Sequence, residues 1–281
     1  MRIQNSPIPI ISLHSPYLIY HKPRNDDTML RTGLVSITFR TLTPRQVVDL
    51  VQRGGLASIE WGGDVHVPPG DVAQAQAVRE MTADAGLAVS VYGSYYRLRD
   101  DAEEDHPFAA VLESAVALGA PVIRVWAGNQ PSAEVDEVYR AGIVDRSRRI
   151  ADMAAAEDIG IAYEYHSNTL TDSLGSALAL LRDVNHPNVR TFWQPPNGRP
   201  PKENLAGLVQ VADWVSNIHC FHWWPTSQDR HPLAEGETNW RMYLERIAAL
   251  PGDRFVSIEF VKDNTPEQFL ADAETLKGWI E

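Results

Sequence analysis

Residues 119–165 read GAPVIRVWAGNQPSAEVDEVYRAGIVDRSRRIADMAAAEDIGIAYEY. Two short apolar, β-branched and aromatic runs, VIRVW at 122–126 and IAYEY at 161–165, bracket a stretch long enough for a helix. Parallel strands need such a crossover, so the segment predicts strand, helix, strand. Gly119 and Gly160 each precede a run and read as closing the helix before it. Outward from this unit the alternation continues, with strand-like runs at 34–39 (LVSITF), 57–61 (ASIEW), 88–92 (AVSVY), 189–194 (VRTFWQ), 215–221 (VSNIHCF) and 255–260 (FVSIEF). Helix signals fill the gaps. Thr43 and Pro44 open the first helix, Gly86 closes the second, and Thr265 and Pro266 begin an eighth that runs to Trp279. Eight runs whose starts lie 23 to 40 residues apart predict an α/β fold, a single (β/α)8 barrel. The first βα turn, TFRTLTPR, has no glycine fingerprint and no phosphate-loop motif occurs elsewhere, which weighs against a doubly wound nucleotide fold.

Residues 1–31 show neither helical nor strand periodicity and are expected to be an N-terminal extension, with the barrel over 32–281. Composition narrows the function classes. The chain of 281 residues carries 25 Lys plus Arg against 37 Asp plus Glu, a formal charge of −12, which argues against a phosphate-backbone binder. No apolar run is long enough to span a membrane. One cysteine, Cys220, forms no internal disulfide and no secretory signal is legible, so a reducing, cytoplasmic setting is expected. Association of copies is compatible with a barrel of this size.

Chemistry in such a barrel gathers at the carboxyl ends of the strands. Glu60, Trp61, Arg124, Trp126, Glu164, His166, Gln194, His219, His222 and Glu259 all fall at or near those ends. Charged groups within buried parallel strands are costly unless paired or metal-bound. Glu164, Gln194, His219 and Glu259 come from four consecutive strands, and their oxygen and nitrogen donors suit one divalent ion such as Mn²⁺, Mg²⁺, Co²⁺ or Zn²⁺. The alternative is that each Glu pairs with an arginine, Arg124 or Arg190, and no metal is held. Of the eight tryptophans, Trp61, Trp126, Trp193, Trp223 and Trp224 lie at or just past strand ends, where aromatic faces can pack on sugar C–H surfaces. The same position could instead plug the barrel mouth; Tyr92, Tyr95 and Tyr96 share that ambiguity. His66, His166, Arg124, Asp229, Arg230 and His231 are the polar groups expected around the ligand. The acidic stretch 100–106 reads as a solvated loop.

The segments SIEWGGDVHVPPGD, ALGAPVIRVWAG, AYEYHSNTLTDS, NHPNVRTFWQPPNG, VSNIHCFH, DRHPLAEGE and SIEFV together resemble the sugar phosphate isomerase/epimerase superfamily. Its members are xylose isomerase-like TIM barrels, related to the metal-dependent AP endonucleases. The resemblance implies Glu164 and Glu259 as metal ligands that double as the acid/base pair, with His219 as the imidazole ligand. His222 stands just past it as the other candidate. Where that family usually places Asp on the sixth strand, this chain has Gln194, a neutral donor that lowers the charge around an ion by one.

The expected activity is a metal-dependent sugar isomerase or epimerase, or a related lyase. It would act on an unphosphorylated sugar, keto sugar or cyclic polyol by removing a proton next to a carbonyl through a metal-stabilised enediolate. A small-molecule carbohydrate is the expected partner, with neither nucleic acid nor membrane. Two alternatives from other classes stand beside it. One is a non-catalytic or weakly metal-binding sugar-binding barrel. The other is an AP endonuclease-like phosphodiesterase, which Asp229 and His231 suggest but for which Tyr92, Gln194 and Asn197 offer an incomplete ligand set.

Overall fold

The structure is a computed structural model that describes residues 29–99 and 107–280. Most of the expected extension, with His14 and His21, and the acidic stretch 100–106 lie outside the described residues. Eight parallel strands close on themselves in chain order: β1 Leu30–Val35, β2 Ser58–Gly62, β3 Ala88–Arg97, β4 Val122–Trp126, β5 Gly160–Tyr163, β6 Val189–Trp193, β7 Val215–Cys220 and β8 Arg254–Ile258. Closure is made by β8 pairing with β1, from Leu30 opposite Arg254 to Leu34 opposite Ile258. Eight helices alternate with them: α1 Pro44–Gly54, α2 Val72–Asp84, α3 Phe108–Leu118, α4 Glu137–Ala155, α5 Leu174–Val184, α6 Pro201–Val211, α7 Glu237–Ala248 and α8 Pro266–Ile280. This is a (β/α)8 TIM barrel.

The helix signals act as their chemistry dictates. Thr43 caps α1 in a reciprocal box with Gln46, with Pro44 in the first turn, a device worth about 1 kcal/mol. Gly119 ends α3 in the left-handed region (φ 71°), its N–H donating to the Ala115 and Val116 carbonyls. Gly160 does not close α4. It opens β5, and the left-handed turn falls instead on Asp158 (φ 57°).

The first strand is displaced from its expected place. LVSITF was expected to be extended, but β1 ends at Val35 and Ser36–Phe39 winds into a 3-10 turn. The strand therefore takes in Leu30 and Arg31, so that the barrel edge precedes position 32. Gly33 is the reason the apolar reading slid forward: it looks like a strand breaker. In the closed barrel a Cβ there would lie 2.5 Å from Ser58 Oγ and 2.7 Å from Ser257 Oγ, so the strands approach because Gly33 has none.

Alternation along each strand divides two environments. One set of side chains, including Leu34, Ile59, Trp61, Ile123, Tyr163 and Ile218, joins the large apolar layer beneath the helices. The opposite phase points into the barrel, where, among the described residues, Val91, Ala162 and Phe192 form a small buried apolar cluster with Val122 packed against it. Above them the interior is charged. Glu60, Arg124, Glu164, His219 and Glu259 are each at most 4% exposed.

Candidate active site

Because Glu60 faces inward, its neighbour Trp61 faces outward. Trp61 is fully buried against α2, its Nε1 donating to Thr82 Oγ1 at 3.2 Å, and it does not reach the ligand side where it was expected. Trp193 is likewise outward, packed edge-on against Trp240 and Tyr243. Trp126 has the inward phase. Its indole Nε1 donates to Glu164 Oε2 at 2.6 Å.

The inward groups meet at the top of the barrel. His219 Nδ1 lies 3.0 Å from Gln194 Oε1 and 3.5 Å from both Glu164 Oε1 and Glu259 Oε2. Gln194 is oriented by its own Nε2, which donates to the Tyr165 carbonyl at 3.3 Å and leaves Oε1 turned toward the imidazole. On the other edge of the ring, His219 Nε2 lies 3.1 Å from Glu60 Oε2. Arg124 donates from Nε to Glu60 Oε1 at 2.7 Å and from Nη1 to Glu164 Oε2. Burial works to raise the Glu60 pKa, but the charges and hydrogen bonds of His219 and Arg124 outweigh it and hold the carboxyl below its ordinary range. Burial, the largest influence, opposes the Arg124 charge, but Glu60, by charge and hydrogen bond, together with Tyr95 and Glu259 outweighs it and raises the guanidinium pKa.

These residues fit a divalent cation on two grounds. Glu164, His219 and Glu259 each offer a ligand atom within 4.8 Å of the others, and all three are buried. The buried group also holds three acidic side chains, Glu60, Glu164 and Glu259, against one guanidinium, a deficit of two basic groups. Isolated buried charges cost several kcal/mol each, and one doubly charged ion removes that deficit. Gln194 keeps the deficit at two where a carboxylate would make it three. Among the described residues no other group of three such side chains has this geometry.

A cavity of about 790 Å³ opens over this cluster. Glu164, Gln194, Glu259, Arg124, Trp126, His166 and Arg230 border it, joined by Arg40, Tyr95, Tyr165, Asn197, Trp223 and Phe260. His166 lies 4.5 Å from Trp126 with the rings tilted by 41°; burial, with help from Arg97 and Arg124, pushes its pKa below the ordinary imidazole value against the opposing Ser167 carbonyl and Glu259. Arg230 spreads over Phe260 (4.6 Å) and donates to the Ser227 carbonyl and Asn264 Oδ1; the Glu259 charge reaches it, but among the described residues no carboxylate lies within ion-pair distance. Arg40 is tied to Asp64 at 2.7 Å and to the Tyr95 hydroxyl. Tyr95 (φ 61°) and Phe260 (φ 44°) hold the left-handed backbone that bulky residues avoid, and both face the cavity.

Other expected site residues are placed elsewhere. Glu60 lies beneath the cavity, without bordering it. His66 is buried at 2% exposure, with Nδ1 on Ser36 Oγ (2.9 Å) and Nε2 on the Leu42 carbonyl (3.1 Å), and does not border the cavity. His222 borders a neighbouring cavity of about 300 Å³ with Trp223 and Trp224. Asp229 accepts from Thr226 Oγ1 at 2.6 Å, and His231 contacts the Trp224 carbonyl and Glu235. Among the described residues, Asp229, His231 and His66 belong neither to the Glu164, His219 and Glu259 group nor to the lining of the main cavity. Arg40 and Phe260 were missed by sequence reasoning. Arg40 was obscured by placing the first strand four residues too late, whereas the Phe260 turn is a backbone property without a sequence signal.

The family model described as xylose isomerase-like TIM barrel matches residues 48–279, and the chain belongs to that family. Among curated proteins it is similar to the 3-dehydroshikimate dehydratase of Bacillus anthracis, 27% identical over 174 residues. That alignment covers 55% of this chain and 61% of the relative, so this chain matches about three fifths of its length. Among solved structures, the probable 3-DHS dehydratase of Bacillus anthracis involved in petrobactin synthesis superposes with a TM-score of 0.73 at 20% identity, over 89% of this chain and 99% of the other. A D-allulose 3-epimerase from Methylomonas sp. gives 0.63 at 16% identity, over 90% and 99%. At these identities the structural likeness concerns the fold. No helix among the described residues is long and apolar enough to cross a membrane.

Proposed function

We propose that the protein is a divalent-metal-dependent enzyme that removes a proton next to a carbonyl in a small, unphosphorylated, hydroxylated keto compound, acting as an isomerase or epimerase. One observation carries this reading. Two buried carboxylates from the ends of β5 and β8, Glu164 and Glu259, approach His219 Nδ1 at the same 3.5 Å. Glu164, Gln194, His219 and Glu259 would hold the ion, which when bound supplies positive charge to stabilise an enediolate. Glu259 is the side chain with an oxygen left over for proton transfer, because Glu164 Oε2 is already engaged by Arg124 and Trp126. Trp126, Trp223 and Phe260 offer apolar faces to carbon-bound hydrogens, and Asn197 and His166 offer hydrogen bonds to hydroxyls. The cytoplasmic setting belongs to the same reading and rests on the single buried cysteine.

A second reading, dehydration of a cyclic keto acid, is favoured by Arg230. A cavity guanidinium with no carboxylate in ion-pair distance suits a substrate carboxylate, and the dehydratase relative is named for such a compound. Both readings share the first step. Incubation with Mn²⁺ in D₂O against D-fructose, D-psicose and 3-dehydroshikimate, followed by NMR, separates them. Deuterium entering a ketose with a change of configuration marks the epimerase, and loss of water from the keto acid marks the dehydratase. Binding without exchange at any carbon would leave a sugar-binding barrel.

A further inference from the structure

We infer that Glu60 and Arg124 are positioning residues that aim His219 and Glu164 at the ion centre, and that neither makes its main contact with substrate. The inference rests on the reading of that centre as a divalent-ion site. Glu60 is fully buried on β2, and both of its oxygens are taken, Oε2 by His219 Nε2 at 3.1 Å and Oε1 by Arg124 Nε at 2.7 Å. A carboxylate only accepts, so the His219 nitrogen facing it is the one that donates. The other nitrogen, Nδ1, is thereby presented to Gln194, Glu164 and Glu259. Arg124, on β4, performs the matching task for Glu164 just past the end of β5. Its Nη1, with the Trp126 indole, takes Glu164 Oε2 and leaves Oε1 turned toward Nδ1.

The arrangement is specified from a third strand. A Cβ on Gly93 of β3 would fall 2.8 Å from Arg124 Nη2 and 3.0 Å from Glu60 Oε1, so that position stays bare to admit the pair. Side chains from β2, β4, β5 and β7 are thus joined through the barrel interior by groups that do not themselves meet the ion. Buried ion pairs are weak sources of stability, since desolvation offsets their attraction. Orienting partners behind metal ligands, in contrast, typically change metal affinity about 10- to 100-fold when altered.

Glu60→Gln separates the two roles. The amide keeps one acceptor oxygen and sets an N–H against one of the two donors, so either His219 or Arg124 loses its partner. The purified parent and variant are titrated with Co²⁺ alone, followed by its visible absorption, with circular dichroism to confirm the fold. The expected result is one Co²⁺ bound by the parent, about 10- to 100-fold weaker binding by Glu60→Gln, and altered absorption bands in the variant. A merely structural role would lower the melting temperature and leave the affinity and bands of the folded protein in place. Co²⁺ affinity within twofold of the parent and an identical spectrum would overturn the inference. If Glu60→Gln does not fold, Arg124→Lys, which keeps the charge and loses the two-sided contact, carries the same comparison. A parent that takes up no Co²⁺ overturns the ion reading and this inference with it, whereas a binding parent with an unaffected variant overturns this inference alone.

Discussion

Glu164 and Glu259 stand at equal distance from His219 Nδ1, yet their outer surroundings differ. Glu164 is held by two N–H donors, while Glu259 borders the cavity with no hydrogen-bond donor on its carboxylate among the described residues beyond the 3.5 Å approach of the imidazole. Glu259→Gln keeps the shape and removes the proton acceptor. It should lower deuterium exchange by about 10²- to 10⁴-fold with an unchanged circular dichroism spectrum; retained exchange would take Glu259 out of the chemistry. His66 makes a different kind of prediction. Burial, the largest influence, sets its folded pKa below 6.5, against the raising effects of the Leu42 carbonyl and Asp64. The neutral ring is therefore the native form. Its contribution to stability is complete above pH 6.5 and is lost as pH falls through the depressed folded value, with a slope of at most about 1.4 kcal/mol per pH unit. Urea unfolding from pH 8 to pH 5 should show a shallower acid decline in His66→Gln than in the parent. At this scale the sequence identified which residue types end the strands, but it did not show which way each side chain turns. Glu60 and Trp61 were both placed at the ligand. The twofold alternation of a strand allows only one of them to face inward, and only the register decides which.

Gly33 sets the packing of an element. With its missing Cβ standing between Ser58 Oγ and Ser257 Oγ, β1 lies close to both neighbours. Gly33→Ala should destabilise the barrel by about 1–3 kcal/mol, measured by denaturant unfolding. Adding Ser58→Ala and Ser257→Ala should recover part of that loss, and a loss unchanged in the triple variant would locate the strain elsewhere. Most elements were legible because buried parallel strands are continuous apolar runs and helix ends carry Thr-Pro and glycine marks. β1 was read too late because Arg31, Thr32 and Gly33 look polar or strand-breaking while Ser36–Phe39 looks extended. That four-residue stretch winds instead, with Ser36 Oγ receiving the Gly62 N–H at 2.9 Å and meeting His66. The Gly160 reading failed for a related reason. A glycine before a strand can end a helix or begin the strand, and Asp158 had already made the turn.

For the molecule as a whole, an ion that binds only the folded barrel must stabilise it. At a free concentration 100 times its dissociation constant the gain is about 2.7 kcal/mol, or roughly 5–10 °C in melting temperature for a domain of this size. Adding Mn²⁺ or Co²⁺ to chelator-treated protein should give that rise, and His219→Ala should abolish it; equal melting curves with and without the ion would count against the centre. The centre also straddles the ring. Glu60 and Arg124 belong to the first four βα units, whereas Glu164, Gln194, His219 and Glu259 come from the last four, and the ring shuts only when β8 finds β1. During synthesis, therefore, the emerging polypeptide has no complete half: every segment through α7 must be polymerised before Glu259 is added, and a product terminated ahead of β8 would carry neither that side chain nor the strand that shuts the ring, however well its early helices had formed.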